Sequence, residues 1–123
     1  KATYTETVGD FTLNITGGTK MFTAATDLKG NGCIKLGTSS VVGGFSFTVA
    51  DDVTSVKIAI AKYKAKASKV TINDTTYTLE NSSNDGVYDV IEIDTSSTKT
   101  VTLTTVTGGV RAMVNSITFV IAG

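Results

Sequence analysis

Short runs of alternating apolar and polar residues follow one another along this chain, each closed by Gly, Asn, Asp or Ser. Successive side chains of a strand point to opposite sides of a sheet, so alternation at period two marks a strand with one buried face. Such runs are read at residues 2–8, 11–16, 20–23, 33–37, 45–49, 55–63, 69–72, 76–80, 88–93, 100–105 and 110–120. Strands this short, recurring about every ten residues, predict an all-β fold. The expected architecture is a jelly-roll-like β-sandwich of two packed antiparallel sheets.

Composition agrees. The chain has 23 Thr, 14 Val and 9 Ile but only 5 Leu. The first three branch at Cβ, which suits a pleated surface and costs helix stability. There is no Pro, so turns must rest on Gly, Asn, Asp and Ser. A length of 123 residues fits one domain, and residues 1–123 show no repeat, linker or second unit.

The alternation also assigns faces. Val56, Ile58 and Ile60 share one side of their run, opposite Lys57, Ala59, Ala61 and Tyr63. Val87, Ile91 and Ile93 oppose Tyr88, Glu92 and Asp94. The expected core is Phe47, Val56, Ile58, Ile60, Ile72, Ile91, Leu103, Ile117 and Phe119. Arg111, Met113 and Asn115 fall on the parity of Ile117 and Phe119, so a bulge between the two groups is expected if the arginine is to reach solvent. The stretch from Val70 to Leu79 reads as a hairpin with Asn73-Asp74 at its turn.

Most catalytic chemistry lacks its residues. With no His there is no Ser–His or Cys–His pair and no imidazole ligand. Cys33, the single cysteine, reads as a small buried hydrophobe. Glu92 and Asp94 would project in parallel from one strand face, which suits solvated residues better than a glycosidase pair. Gly30-Asn31-Gly32 and Gly17-Gly18 precede no helix and make no phosphate loop. A calcium site would have to draw on Asp51-Asp52 or on Asn81 with Asn84-Asp85, and turn formation is the plainer account of those residues. No cofactor and no catalysis are expected. Formal charge is zero, which removes the bulk argument for nucleic acid or an anionic membrane, and no run approaches the roughly 18 apolar residues of a membrane helix. The start at Lys1 has no leader pattern and reads as that of an excised module. A surface rich in Thr, Ser, Asn and Gly suits a bacterial module that is secreted and extracellular, and a monomer is expected.

Charge is unevenly spread. Residues 57–69 hold five lysines and no acid, residues 80–94 five acids and no base. Lys20, Lys29 and Lys35 make a second cationic group interrupted only by Asp27. One basic and one acidic region are therefore expected. Lys62 and Lys64 flank Tyr63 and, at i and i+2, should point to the same side, spaced to meet successive charges on an extended anion. The plainer alternative is that these lysines keep a β-protein soluble and guard its edges.

Several stretches together carry a resemblance: Gly30-Asn31-Gly32-Cys33-Ile34-Lys35-Leu36-Gly37, Phe45-Ser46-Phe47-Thr48-Val49, the Val70–Leu79 hairpin, and Gly109 to Phe119 with its Arg111, Asn115, Ser116 and Ile117. Nearly the whole chain resembles the β-sandwich carbohydrate-binding modules attached to secreted enzymes that degrade plant cell walls in gut and rumen bacteria. Modules of that group for neutral glycans mostly stack sugar rings on Trp, which this sequence lacks. The chain is most similar to carbohydrate-binding module family 77, whose members bind pectin and recognise homogalacturonan through lysines. The resemblance implies a non-catalytic module that binds low-ester pectin and keeps an attached catalytic domain on its substrate. It implies ligand contacts from Lys20, Lys35, Lys62, Lys64 and Arg111, with Tyr63 against the sugar face. The alternatives are a module for a neutral glycan and a spacer domain with no ligand.

Overall fold

Each of the alternating runs forms a strand in the computed structural model, which describes residues 3–8, 11–17, 20–64, 66–106 and 111–121, with backbone only for 3–17, 23 and 24. In chain order they are β1 Thr3–Val8, β2 Phe11–Gly17, β3 Met21–Thr26, β4 Gly32–Leu36, β5 Gly44–Thr48, β6 Val53–Lys62, β7 Lys69–Ile72, β8 Thr75–Thr78, β9 Asp89–Asp94, β10 Thr100–Thr105 and β11 Ala112–Ile121. A six-stranded sheet runs β1-β2-β5-β10-β7-β8, and a five-stranded sheet runs β3-β4-β11-β6-β9. All strand pairs in both sheets are antiparallel. Among the described residues no helix is long and apolar enough to cross a membrane.

The two sheets bury their inward residues against each other. Val56, Ile58, Ile60, Phe47, Ile72, Ile91 and Leu103 all belong to the buried cluster, with Ile117 and Phe119 half-buried against it. Full burial of such a side chain stabilises by roughly 1.5–3 kcal/mol. Phe47 links the layers, since its ring lies 5.9 Å from Phe45 and 6.4 Å, edge-on, from Phe119. The threonines explain themselves on the other side. Thr48 pairs with Thr100 at 3.1 Å and Thr71 with Thr76 at 3.0 Å, hydroxyl to hydroxyl, on exposed positions of the six-stranded sheet. Such cross-strand pairs stiffen a wet sheet face without apolar exposure.

Two local devices set the geometry of the five-stranded sheet. One is the bulge in β11, where Val114 faces Ile60 but Ser116 faces Ala59, leaving Asn115 as the inserted residue. Its side-chain amide donates to the Gly32 carbonyl at 3.4 Å. The insertion moves Ile117 and Phe119 to the inner side while Met113 stays on the outer one. The other is the β7–β8 hairpin, whose turn residues Asn73 and Asp74 have φ of 46° and 79°. Left-handed values at both positions make the type I′ turn that matches strand twist.

Two expectations need correcting. Val87 is 50% exposed, because β9 begins only at Asp89 and the alternation does not reach back to it. The basic and acidic runs do not form separate regions along their length. β6 and β9 are neighbours, and Lys57 stands in register beside Glu92.

Candidate functional site: a cationic cluster on the outer face

The outer face of the five-stranded sheet carries a row fixed by strand register: Phe22 on β3, Lys35 on β4, Met113 on β11 and Ala61 on β6. Ala61 and Met113 are buried despite facing outward. Larger side chains therefore rise around a low floor. At the end of β6 the chain leaves the sheet, and Tyr63 stands at that point. Lys64 follows with φ of 55°, a left-handed turn held by the Ser83 hydroxyl, which accepts from the Lys64 amide at 3.0 Å. Arg111 enters just before β11, its carbonyl accepting from the Ser68 hydroxyl at 2.8 Å.

These three elements converge on one ring. The guanidinium carbon of Arg111 is 4.0 Å from the Tyr63 centroid, the Lys35 ammonium 5.1 Å and the Lys64 ammonium 5.3 Å. Lys35 also lies 5.3 Å from the Phe22 ring, which is 42% exposed. An exposed cation–π contact contributes about 0.5–1 kcal/mol. Repulsion between unit charges a few ångströms apart in water is on the order of 1 kcal/mol. The ring thus offsets the mutual repulsion of the cations, and among the described residues no carboxylate pairs with them. Arg111 Nε is buried with no hydrogen-bond partner among the described residues.

Of the residues expected at a site, Lys35, Lys64, Arg111 and Tyr63 come together. Lys62 does not join them. It is the last residue of β6, on the inward parity, with buried Ala112 as its register partner, and its amide donates to the Asn81 carbonyl. Strand alternation would have carried Lys64 to the side of Lys62, but it stops at this residue. Lys20 precedes β3 on the outward parity, opposite buried Met21, with its carbonyl accepting from the Gly37 amide at 2.9 Å. Arg111 covers one face of the Tyr63 ring at contact distance, so a sugar could meet only the other face.

No family model matches the sequence, and no curated protein matches it. Among solved structures the chain is similar to TmCBM61, a carbohydrate-binding module determined in complex with β-1,4-galactotriose, with a TM-score of 0.56 over 89% of this chain and 88% of that one. Identity is 9%. The likeness is one of fold. It supports the sandwich architecture, while the side chains on the outer face are this chain's own.

One feature of that face carried no signal in the sequence. Asp27, in the β3–β4 loop, is buried and accepts a hydrogen bond from the Tyr88 hydroxyl, which reaches it from the segment before β9. β3 and β9 are opposite edges of the sheet, so this bond ties the two edges together. The Asp27 carboxylate also accepts from the Lys29 and Asn31 amides, each at 2.9 Å. Burial by itself would raise the Asp27 pKa, but the bonds from Tyr88, Asn31 and Lys29 together outweigh it and hold the carboxyl below its ordinary value. Burial, with the Asp27 bond next, pushes the Tyr88 hydroxyl up. Cys33 is buried on the outer parity, and its thiol is pushed up by that burial and by the Asp27 charge. A raised pKa keeps it a thiol and suits the inert reading. Alternation places Tyr88 on a face, but nothing local names its partner 61 positions away.

Glu92 and Asp94 are both exposed on the edge strand β9. Glu92 accepts from the Ser55 hydroxyl at 2.9 Å. Among the described residues no group of three or more His, Cys, Asp or Glu side chains is placed to hold a metal ion.

Proposed function

We propose that this domain is a non-catalytic glycan-binding module whose ligand is an acidic plant cell-wall polysaccharide, low-ester pectin of the homogalacturonan type, bound at the Tyr63 cluster. One observation carries the reading. Lys35, Lys64 and Arg111 come from three separate places in the chain to a single ring, and among the described residues no carboxylate pairs with them. Cations that merely keep a surface soluble have no reason to crowd against their own repulsion. A galacturonate carboxylate supplies the missing counter-charge.

Magnitudes decide how much ligand is needed. An exposed ion pair contributes about 0.2–1 kcal/mol. Three of them stay below the roughly 4 kcal/mol of millimolar binding. A single uronate is therefore too weak, and binding requires several consecutive sugars, with affinity falling as salt rises. Lys20, just before β3, would meet a longer chain. The resemblance to family 77 supports the same ligand class. The module would serve an attached catalytic domain in a secreted bacterial protein.

A second reading, binding of a neutral glycan, is favoured by the similar sandwich that was determined with a neutral galactotriose. The two part in one experiment. The isolated domain is titrated against de-esterified pectin, methyl-esterified pectin and neutral galactan at low and high salt. The acidic reading expects a salt-sensitive component of binding with the first polymer that neither the esterified polymer nor the galactan shows. Equal binding of esterified and de-esterified polymer, insensitive to salt, would overturn it.

A further inference from the structure

A second concave feature lies away from the cationic cluster. It is a cleft of about 330 Å³ between the β7–β8 hairpin of one sheet and the edge strand β9 of the other. That volume is at the lower end of the roughly 300–1,000 Å³ typical of small-molecule sites. Ile72 and Ile93, both buried, form its floor, and the half-buried ring of Tyr77 lines one side. Acceptor oxygens come from Asp74 at the hairpin tip and from Glu92 and Asp94 across the cleft.

The bonding state of those oxygens narrows what can fit. One oxygen of Glu92 takes the Ser55 hydroxyl, and one oxygen of Asp94 takes both the amide and the hydroxyl of Ser96, at 2.8 and 2.6 Å. Each carboxylate keeps its second oxygen. The cleft is thus rich in acceptors, and among the described residues no cation lines it. An acidic sugar is repelled there. A metal ion is not held there either, because among the described residues no three such side chains are placed to coordinate one. A ligand with hydroxyl donors on its rim and a C–H face for an aromatic ring meets every demand of this lining.

We infer that the cleft between β8 and β9 is a second binding site, for a neutral pyranose unit set against Tyr77 with its hydroxyls donating to Asp74, Glu92 and Asp94. It shares no residue with the Tyr63 cluster and does not depend on the acidic-glycan reading. A chain with acidic and neutral stretches, or two neighbouring chains, would engage both faces of the module.

The test is amide-resolved NMR titration of the whole chain with neutral trisaccharides of glucose, galactose, mannose and xylose up to millimolar concentration, at low and high salt. At least one of them is expected to shift the amides of Thr75, Tyr77 and Thr98 by the same amount at both salts, and to leave Lys35 and Lys64 unmoved. Asp74→Gly, which tolerates the φ of 79°, and Glu92→Gln, both at exposed positions, should each weaken that binding several-fold, and Tyr77→Ala should abolish it. Tyr77 touches the core, so the exposed pair stands if that variant fails to fold. Lys64→Ala should change nothing here. No shift with any of the sugars, shifts confined to the Tyr63 face, or binding only of a cationic chito-oligosaccharide that salt abolishes would each overturn the inference. None of these outcomes bears on whether oligogalacturonate binds at Lys35 and Lys64.

Discussion

Arg111 and Phe119 have the same parity along the chain, yet they lie on opposite sides of the sheet. The guanidinium of Arg111 covers the Tyr63 ring on the outer face, while the Phe119 ring packs edge-on against Phe47 on the inner one. The residue that separates them is Asn115, inserted at the bulge between the Ala59 and Ile60 pairings. A slip of one residue in a strand exchanges its two faces. Core packing and the cationic cluster therefore depend on the same extra residue.

Deleting Asn115 is expected to force a choice: either Arg111 and Met113 turn inward, or Ile117 and Phe119 turn out. Both outcomes bury a charge or expose large apolar groups, and the cost should exceed about 4 kcal/mol. Asn115→Gly keeps the residue count and gives up one long hydrogen bond, so it should cost about 1 kcal/mol or less. Urea unfolding of both variants checks this. Comparable stabilities would show that the bulge does not set the register.

The Tyr88–Asp27 bond should be visible in the pH dependence of stability. Asp27 titrates below the ordinary aspartate value of 3.8, so its contribution is present above that pH and is lost as pH falls through the folded value. Tyr88 titrates above the ordinary value of 10.0, so its contribution is present below that pH and is lost as pH rises through the folded value. Tyr88→Phe is expected to cost about 1–3 kcal/mol at neutral pH, since it removes a hydrogen bond to a buried carboxylate. It should also flatten both the acid and the alkaline loss. An unchanged acid limb in the variant would show that Tyr88 does not hold Asp27 ionised.

At the hairpin tip, the Asn73 amide donates to the Thr100 carbonyl at 3.1 Å and its oxygen accepts from the Thr102 amide at 2.9 Å. Asn73→Gly removes those bonds but tolerates φ of 46°, whereas Asn73→Ala removes them and adds left-handed strain. The first should cost about 1–2 kcal/mol. The second should cost a further 1 kcal/mol or so. Equal losses for the two, read from denaturation midpoints, would mean that the backbone conformation contributes nothing.

Much of this architecture was legible before any coordinates. Period-two runs located every strand, and the wrong parity of Arg111 pointed to the bulge, because an arginine and a Phe cannot share a core face. What alternation cannot see is the moment a strand ends. Lys62 and Lys64 read as partners on paper, yet β6 stops between them and Lys64 turns left-handed, so only Lys64 approaches the ring. Nor can alternation say which strands become neighbours. The approach of Lys35 and Arg111 to Tyr63 follows from β4 and β6 both flanking β11. The Asp27–Tyr88 bond and the β8–β9 cleft depend on sheet order in the same way.

Lys35, Lys64 and Arg111, gathered by Tyr63, are proposed to form an anion site. Calorimetric titration with an oligogalacturonate of several units, at low and at high salt, tests it most directly when run on four proteins: the parent, Lys35→Ala/Lys64→Ala, Lys62→Ala and Tyr63→Phe. The parent is expected to bind and weaken with salt, and the double variant to lose about two- to thirtyfold, or ~0.4–2 kcal/mol, together with most of its salt dependence. Lys62→Ala, off the cluster, and Tyr63→Phe, which keeps the ring, should stay close to the parent. Full affinity in the double variant, or no binding by the parent at low salt, would contradict the account.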